Sequence, residues 1–73
     1  MGRLRAMTDT QLVAKLRAKY RSLWDAHQII ADKNARLITL GKQPSNEDLI
    51  NEQRAAEAVR LARAQLLAAM SGN

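Results

Sequence analysis

The feature that most constrains this chain is a run from Thr8 to Leu40 whose apolar residues recur at helical spacing. At about 100° per residue, Leu12, Val13, Leu16, Tyr20, Leu23, Trp24, His27, Ile30, Ala31, Asn34, Leu37 and Ile38 fall on one side of the helix, over roughly 140° of its surface. Two polar residues, His27 and Asn34, sit near the middle of that stripe. A surface of this kind requires a partner, and only one further helix follows in the sequence.

Length and composition limit the answer. Seventy-three residues form one small domain with little capacity for a core of its own. There is no cysteine, which removes disulfides, thiol nucleophiles and cysteine zinc sites. That usage suits a cytoplasmic protein. No apolar run approaches the roughly 18 residues of a membrane span, so no membrane partner is expected. Phenylalanine is absent, proline occurs once, and no segment alternates with period two. The expectation is an all-α fold.

The chain divides at one corner. Thr8 with Gln11 three residues on forms a capping-box pattern, Asp9 suits the first turn, and Met7 with Leu12 fits the hydrophobic staple. Helix 1 is therefore expected over 8–40, preceded by a basic tail over 1–7. Met7 as an alternative start and the tail as native sequence are both compatible with the residues. Gly41 ends the helix, Pro44 prevents its continuation, and Ser45 with Asp48 caps the next one. The turn is expected over 41–45, helix 2 over 46–70, and a frayed end over 71–73. So short a link implies an antiparallel hairpin.

Helix 2 carries a main apolar face of Leu49, Ala56, Val59, Leu66, Leu67 and Met70, with Ala55 and Ala62 at its edge. Ile50, Leu61, Ala64 and Ala68 make a weaker face. Its many alanines suit a partner bearing Tyr20 and Trp24, because small side chains accept large ones. Two such helices carry more apolar surface than they hide between them, and exposed patches of that size mark interfaces. A two-fold homodimer forming a four-helix bundle is the expected solution, with Leu16, Tyr20, Leu23, His27, Ile30, Asn34, Leu37, Val59 and Leu66 as core or interface. A trimer, a domain-swapped pair and a monomer that folds only on another protein are the alternatives.

Chemistry-bearing residues are sparse. His27 is the sole histidine. No ligand stands at i+3 or i+4 from it, so a buried histidine hydrogen-bonded to another helix, with that helix's Asn34 as a candidate partner, is favoured over a metal ligand or proton switch. Asn34 is read as a register-setting polar residue within the interface. Tyr20 and Trp24 read as packing residues, with base stacking the competing role. Asp25 and Asp32 lie about 10 Å apart along the helix, too far for paired acid–base work. No phosphate loop, serine elbow or metal motif is present. The chain is thus expected to be no enzyme and to need no cofactor.

Charge is unevenly placed. Residues 1–21 hold six basic residues against one acidic, a net +5, whereas residues 22–73 hold six of each. Lys15, Arg17, Lys19 and Arg21 are the candidates for contact with nucleic-acid phosphate, the alternative to a protein-interaction role. Helix 1's Lys and Arg also raise membrane-surface binding, against which Asp9, Asp25 and Asp32 count.

Overall fold

The computed structural model describes the backbone of residues 2–71 and the side chains of residues 10–71. Two helices, α1 (Gly2–Thr39) and α2 (Asn46–Ser71), fold back on one another as an antiparallel hairpin. The rod measures 59 × 16 × 14 Å. At 1.5 Å per residue α1 is about 57 Å long and α2 about 39 Å, so α1 extends beyond its partner at the open end.

The corner is built from local signals. Gly41 has φ +78°, a conformation that costs a side-chain-bearing residue. Its N–H donates to the Ile38 carbonyl at 2.9 Å, and the Lys42 N–H donates to Leu37 at 2.8 Å. These two bonds form a Schellman motif that satisfies the last carbonyls of α1. Pro44 is buried. Ser45 then starts α2 with a reciprocal box: the Asp48 N–H donates to Ser45 Oγ at 3.0 Å, and the Ser45 N–H donates to Asp48 Oδ2 at 3.1 Å. Glu47 and Asp48 also place negative charge in the first turn, where the helix dipole favours it.

Both helices run longer than the pattern suggested. α1 begins at Gly2, so the backbone at Thr8 is helical and not a cap. Arg3 to Met7 are good helix formers with no breaker among them, so the cap pattern had no stop to enforce it. The Met7 and Thr8 side chains of the expected staple and box lie outside those described. Ser71 is helical, its hydroxyl donating to the Leu67 carbonyl at 2.8 Å; Gly72 and Asn73 of the expected frayed end lie outside the described residues.

Candidate functional site

The contact between the helices is a pair of heptad ladders. On α1, Val13, Leu16, Tyr20, Leu23, His27, Ile30, Asn34 and Leu37 are all half-buried or buried. On α2 the same holds of Asp48, Glu52, Ala55, Val59, Ala62, Leu66 and Ala69. Successive members alternate three and four residues apart without a break, which is the spacing of helices that wind around each other left-handedly. Ala62 and Leu66 are the buried apolar members of these ladders. The hairpin thus has a narrow seam and hardly any core.

This phase corrects the expected face of α2. Leu49, Ala56, Leu67 and Met70 are exposed, and the line through Ala55 and Ala62, expected at the edge, is the centre of the contact. Alanines at the centre let the two backbones approach closely, so the thin side of α2 turns inward.

Asn34 is the buried polar residue of the contact. It is 2% exposed, and its Nδ2 donates to the Asp48 carbonyl at 3.1 Å and to Glu52 Oε1 at 2.8 Å. Its Oδ1 is buried without a hydrogen-bond partner, a state that costs about 1–3 kcal/mol. Asn34 is buried; its partners Asp48 and Glu52 were not foreseen in the sequence, and both lie in the same hairpin. His27 is half-buried and makes no hydrogen bond among the described residues. Beside Asn34, the Lys33 ammonium stands 3.5 Å from Asp48 Oδ1. The Ser45 backbone N–H, then the Ser45 hydroxyl, and then Lys33 hold the Asp48 carboxyl below its ordinary range against the opposing effect of desolvation. Further along α2, Arg60 pairs with Glu57, whose carboxyl that bond lowers.

The residues next to the seam divide into two unlike flanks. The position that follows every second ladder member, position e of the heptad, holds Arg17, Trp24, Ala31 and Ile38 on α1, and Leu49, Ala56, Arg63 and Met70 on α2. In an antiparallel pair these positions share one side of the rod. Trp24 is 46% exposed, Ile38 62%, Leu49 45% and Met70 57%. The opposite flank, position g, carries Leu12, Lys19, Ala26, Lys33 and Leu40 with Asn51, Ala58 and Gln65, and is mostly polar or small. Ile29 and Leu61 at position c and Ile50 at position f are exposed as well, but they form no continuous line beside the seam. Apolar residues at a, d and e together are the pattern of a bundle helix, whereas a lone two-stranded seam needs only a and d.

A shallow groove beside Trp24 is lined by Arg17, Tyr20, Arg21, Trp24 and Asp25. Lys15, Arg17, Lys19 and Arg21 are exposed and make no ion pair among the described residues. Over residues 10–24 and 60–71, the open end of the rod, six basic residues stand with no acidic one; residues 25–59 carry four basic and six acidic residues. Among the described residues no cluster of three His, Cys, Asp or Glu side chains is placed to hold a metal ion, and no helix is long and apolar enough to cross a membrane. No protein-family model, curated protein or solved structure matches this chain.

Proposed function

We propose that this chain is a non-enzymatic protein-interaction module that works as a homodimer, two hairpins forming a four-helix bundle. The observation that supports this most directly is its surface. The chain exposes 6037 Å². A compact monomer of 8.1 kDa would expose about 4500 Å². The excess, about 1500 Å² per chain or about 3000 Å² for a pair, lies in the range of obligate interfaces. With Ala62 and Leu66 as the buried apolar residues of its seam, the hairpin lacks the burial that offsets chain entropy, and a second copy supplies it. Asp25 and Asp32 are exposed and lie about 10 Å apart along α1, too far for paired acid–base work.

Sedimentation equilibrium across about 1–100 µM, paired with thermal melts over the same range, tests the reading. A dimer whose melting temperature rises with concentration is the expected result. A sharp monomer with cooperative, concentration-independent melting would overturn it.

The unpaired cations at the open end favour a second reading, a small dimeric regulator that contacts nucleic-acid phosphate through Lys15, Arg17, Lys19 and Arg21. It predicts binding to labelled duplex or single strands at about 50 mM salt that falls steeply by about 200 mM. It also predicts loss of binding in the double variant Arg17→Ala/Arg21→Ala. Absence of binding at the lower salt removes this reading.

A further inference from the structure

Resting on the homodimer reading, we infer that the second copy docks on the e-position flank and lies antiparallel to the first, with the two Trp24 side chains on either side of the two-fold axis. The hydrogen bonds from Asn34 to Asp48 and Glu52 place residue 34 of α1 level with the stretch between those two residues of α2. From that register, the flank reads outward from the turn as Ile38, Leu49, Ala31, Ala56, Trp24, Arg63, Arg17 and Met70.

Two copies of this face meet in one of two ways. With the turns together, each residue meets its own kind. Trp24 then opposes Trp24, alanines oppose alanines, and Arg17 and Arg63 face their copies. Bulk meets bulk at one level, a gap opens at another, and like charges are juxtaposed. With the turns at opposite ends the order is reversed about a centre between Ala56 and Trp24. Trp24 then seats on Ala56 of the other copy, Arg63 on Ala31, Arg17 beside Leu49 and Met70 on Ile38. Large side chains meet small ones at both inner levels. Arg17 also arrives at the level of Asp48 and Glu52. The basic open end of each rod lies along the other rod's turn half, where acidic residues predominate, and such complementarity selects orientation. The isologous arrangement closes on itself and leaves no apolar flank for a third copy.

The chain has no cysteine, so Lys42→Cys at the exposed turn gives one thiol for a spin label, remote from the flank. In the antiparallel dimer the two labels are separated by about 32 residues of helix, roughly 48 Å. With the turns together they lie within about 25 Å, the breadth of two helix pairs side by side. Sedimentation of the labelled protein is run alongside, as is the emission of Trp24, the single tryptophan. A dimer with the long separation and a blue-shifted Trp24 emission is expected. A dimer with the short separation overturns the orientation, and a dimer whose Trp24 emission stays that of a water-exposed indole overturns the choice of face. A monomer at every concentration overturns the homodimer reading itself, which the first two outcomes leave standing.

Discussion

Asn34→Asp is the most demanding test of how the hairpin is held. The two side chains have nearly the same shape, so the substitution changes hydrogen bonding and charge with little change in packing. In the native chain Nδ2 donates to the Glu52 carboxylate at 2.8 Å and to the Asp48 carbonyl at 3.1 Å. In the variant an oxygen without a proton occupies that place. Two donor bonds become repulsive contacts, one of them to a charge. The loss of a bond to a carboxylate is worth about 1.5–3 kcal/mol and that of a neutral bond about 1 kcal/mol. Coulomb repulsion near 3 Å adds roughly 5 kcal/mol at an effective dielectric of about 20. Glu52 is only half-buried and can swing toward water, so most of that repulsion is relieved. A net destabilisation of about 3–5 kcal/mol is expected at pH 7, in line with other broken buried pairs.

For a chain this small that corresponds to a fall of at least about 12 °C in melting temperature. The dependence on pH then identifies the cause. Burial beside Glu52 raises the pKa of the introduced carboxyl above its unfolded value of about 3.9. The penalty is therefore complete above the folded value and disappears as pH falls below the unfolded one, where the protonated carboxyl again donates to Glu52. Circular-dichroism melts of both proteins at pH 7 and near pH 4 should show the gap between them narrowing in acid. A variant that melts within a degree of the native chain at pH 7, or a gap that stays constant with pH, would refute the assignment of Asn34 as the pin between the helices.

Other substitutions probe the remaining elements. Asn34→Leu removes the orphaned Oδ1 but also the donor to Glu52 and to the Asp48 carbonyl, so it should lower stability by about 1–3 kcal/mol, with no narrowing of the loss in acid of the kind expected for Asn34→Asp; a melting temperature above that of the native chain would count against these bonds as the tie between the helices. Leu66→Ala opens the seam at its largest buried apolar side chain and should cost about 2–5 kcal/mol in urea unfolding. Ser45→Ala deletes the acceptor for the Asp48 N–H and should cost about 1 kcal/mol. Because the native box lowers the Asp48 carboxyl, its contribution is present above the unfolded value and lost as pH falls through the folded one, so the native chain's advantage over Ser45→Ala should shrink in acid melts. At Gly41, where an added Cβ meets nothing within 4 Å, alanine should still cost about 1 kcal/mol, because the strain comes from φ +78° alone.

How much of this was legible in the sequence follows from the range of each interaction. The corner was readable because its causes are local: Gly41 supplies the left-handed residue, Pro44 stops the helix, and Ser45 and Asp48 satisfy each other three residues apart. The start of α1 was not, since a capping pattern at Thr8 competes with good helix formers upstream and nothing breaks the chain between them. The phase of α2 escaped for a different reason. A wheel drawn at 3.6 residues per turn smears a repeat of 3.5 into a stripe of roughly 140°, merging the seam with the flank beside it. Counted as heptads, Val13 to Leu37 and Asp48 to Ala69 resolve into ladders, and Trp24, Ile38, Leu49 and Met70 stand apart as a second apolar line. That signal was present in the spacing.

The partners of Asn34 were the least legible, and they explain why a polar residue sits where an apolar one would pack better. Ala55, Ala62 and Ala69 recur every seven residues and offer nearly identical holes, so the open half of the seam discriminates weakly between registers one heptad apart. Sliding α2 by seven residues would set Asn34 level with Ala55 and Val59 and leave the amide with no side-chain acceptor. It would also strand Glu52 away from the only buried side-chain donor among the described residues. The cost of orphaning those groups, about 1–3 kcal/mol each, falls on every wrong register and not on the native one. The turn sets the register at one end of the rod, and Asn34 sets it again about two turns of helix further on. From there the alanines need only be small.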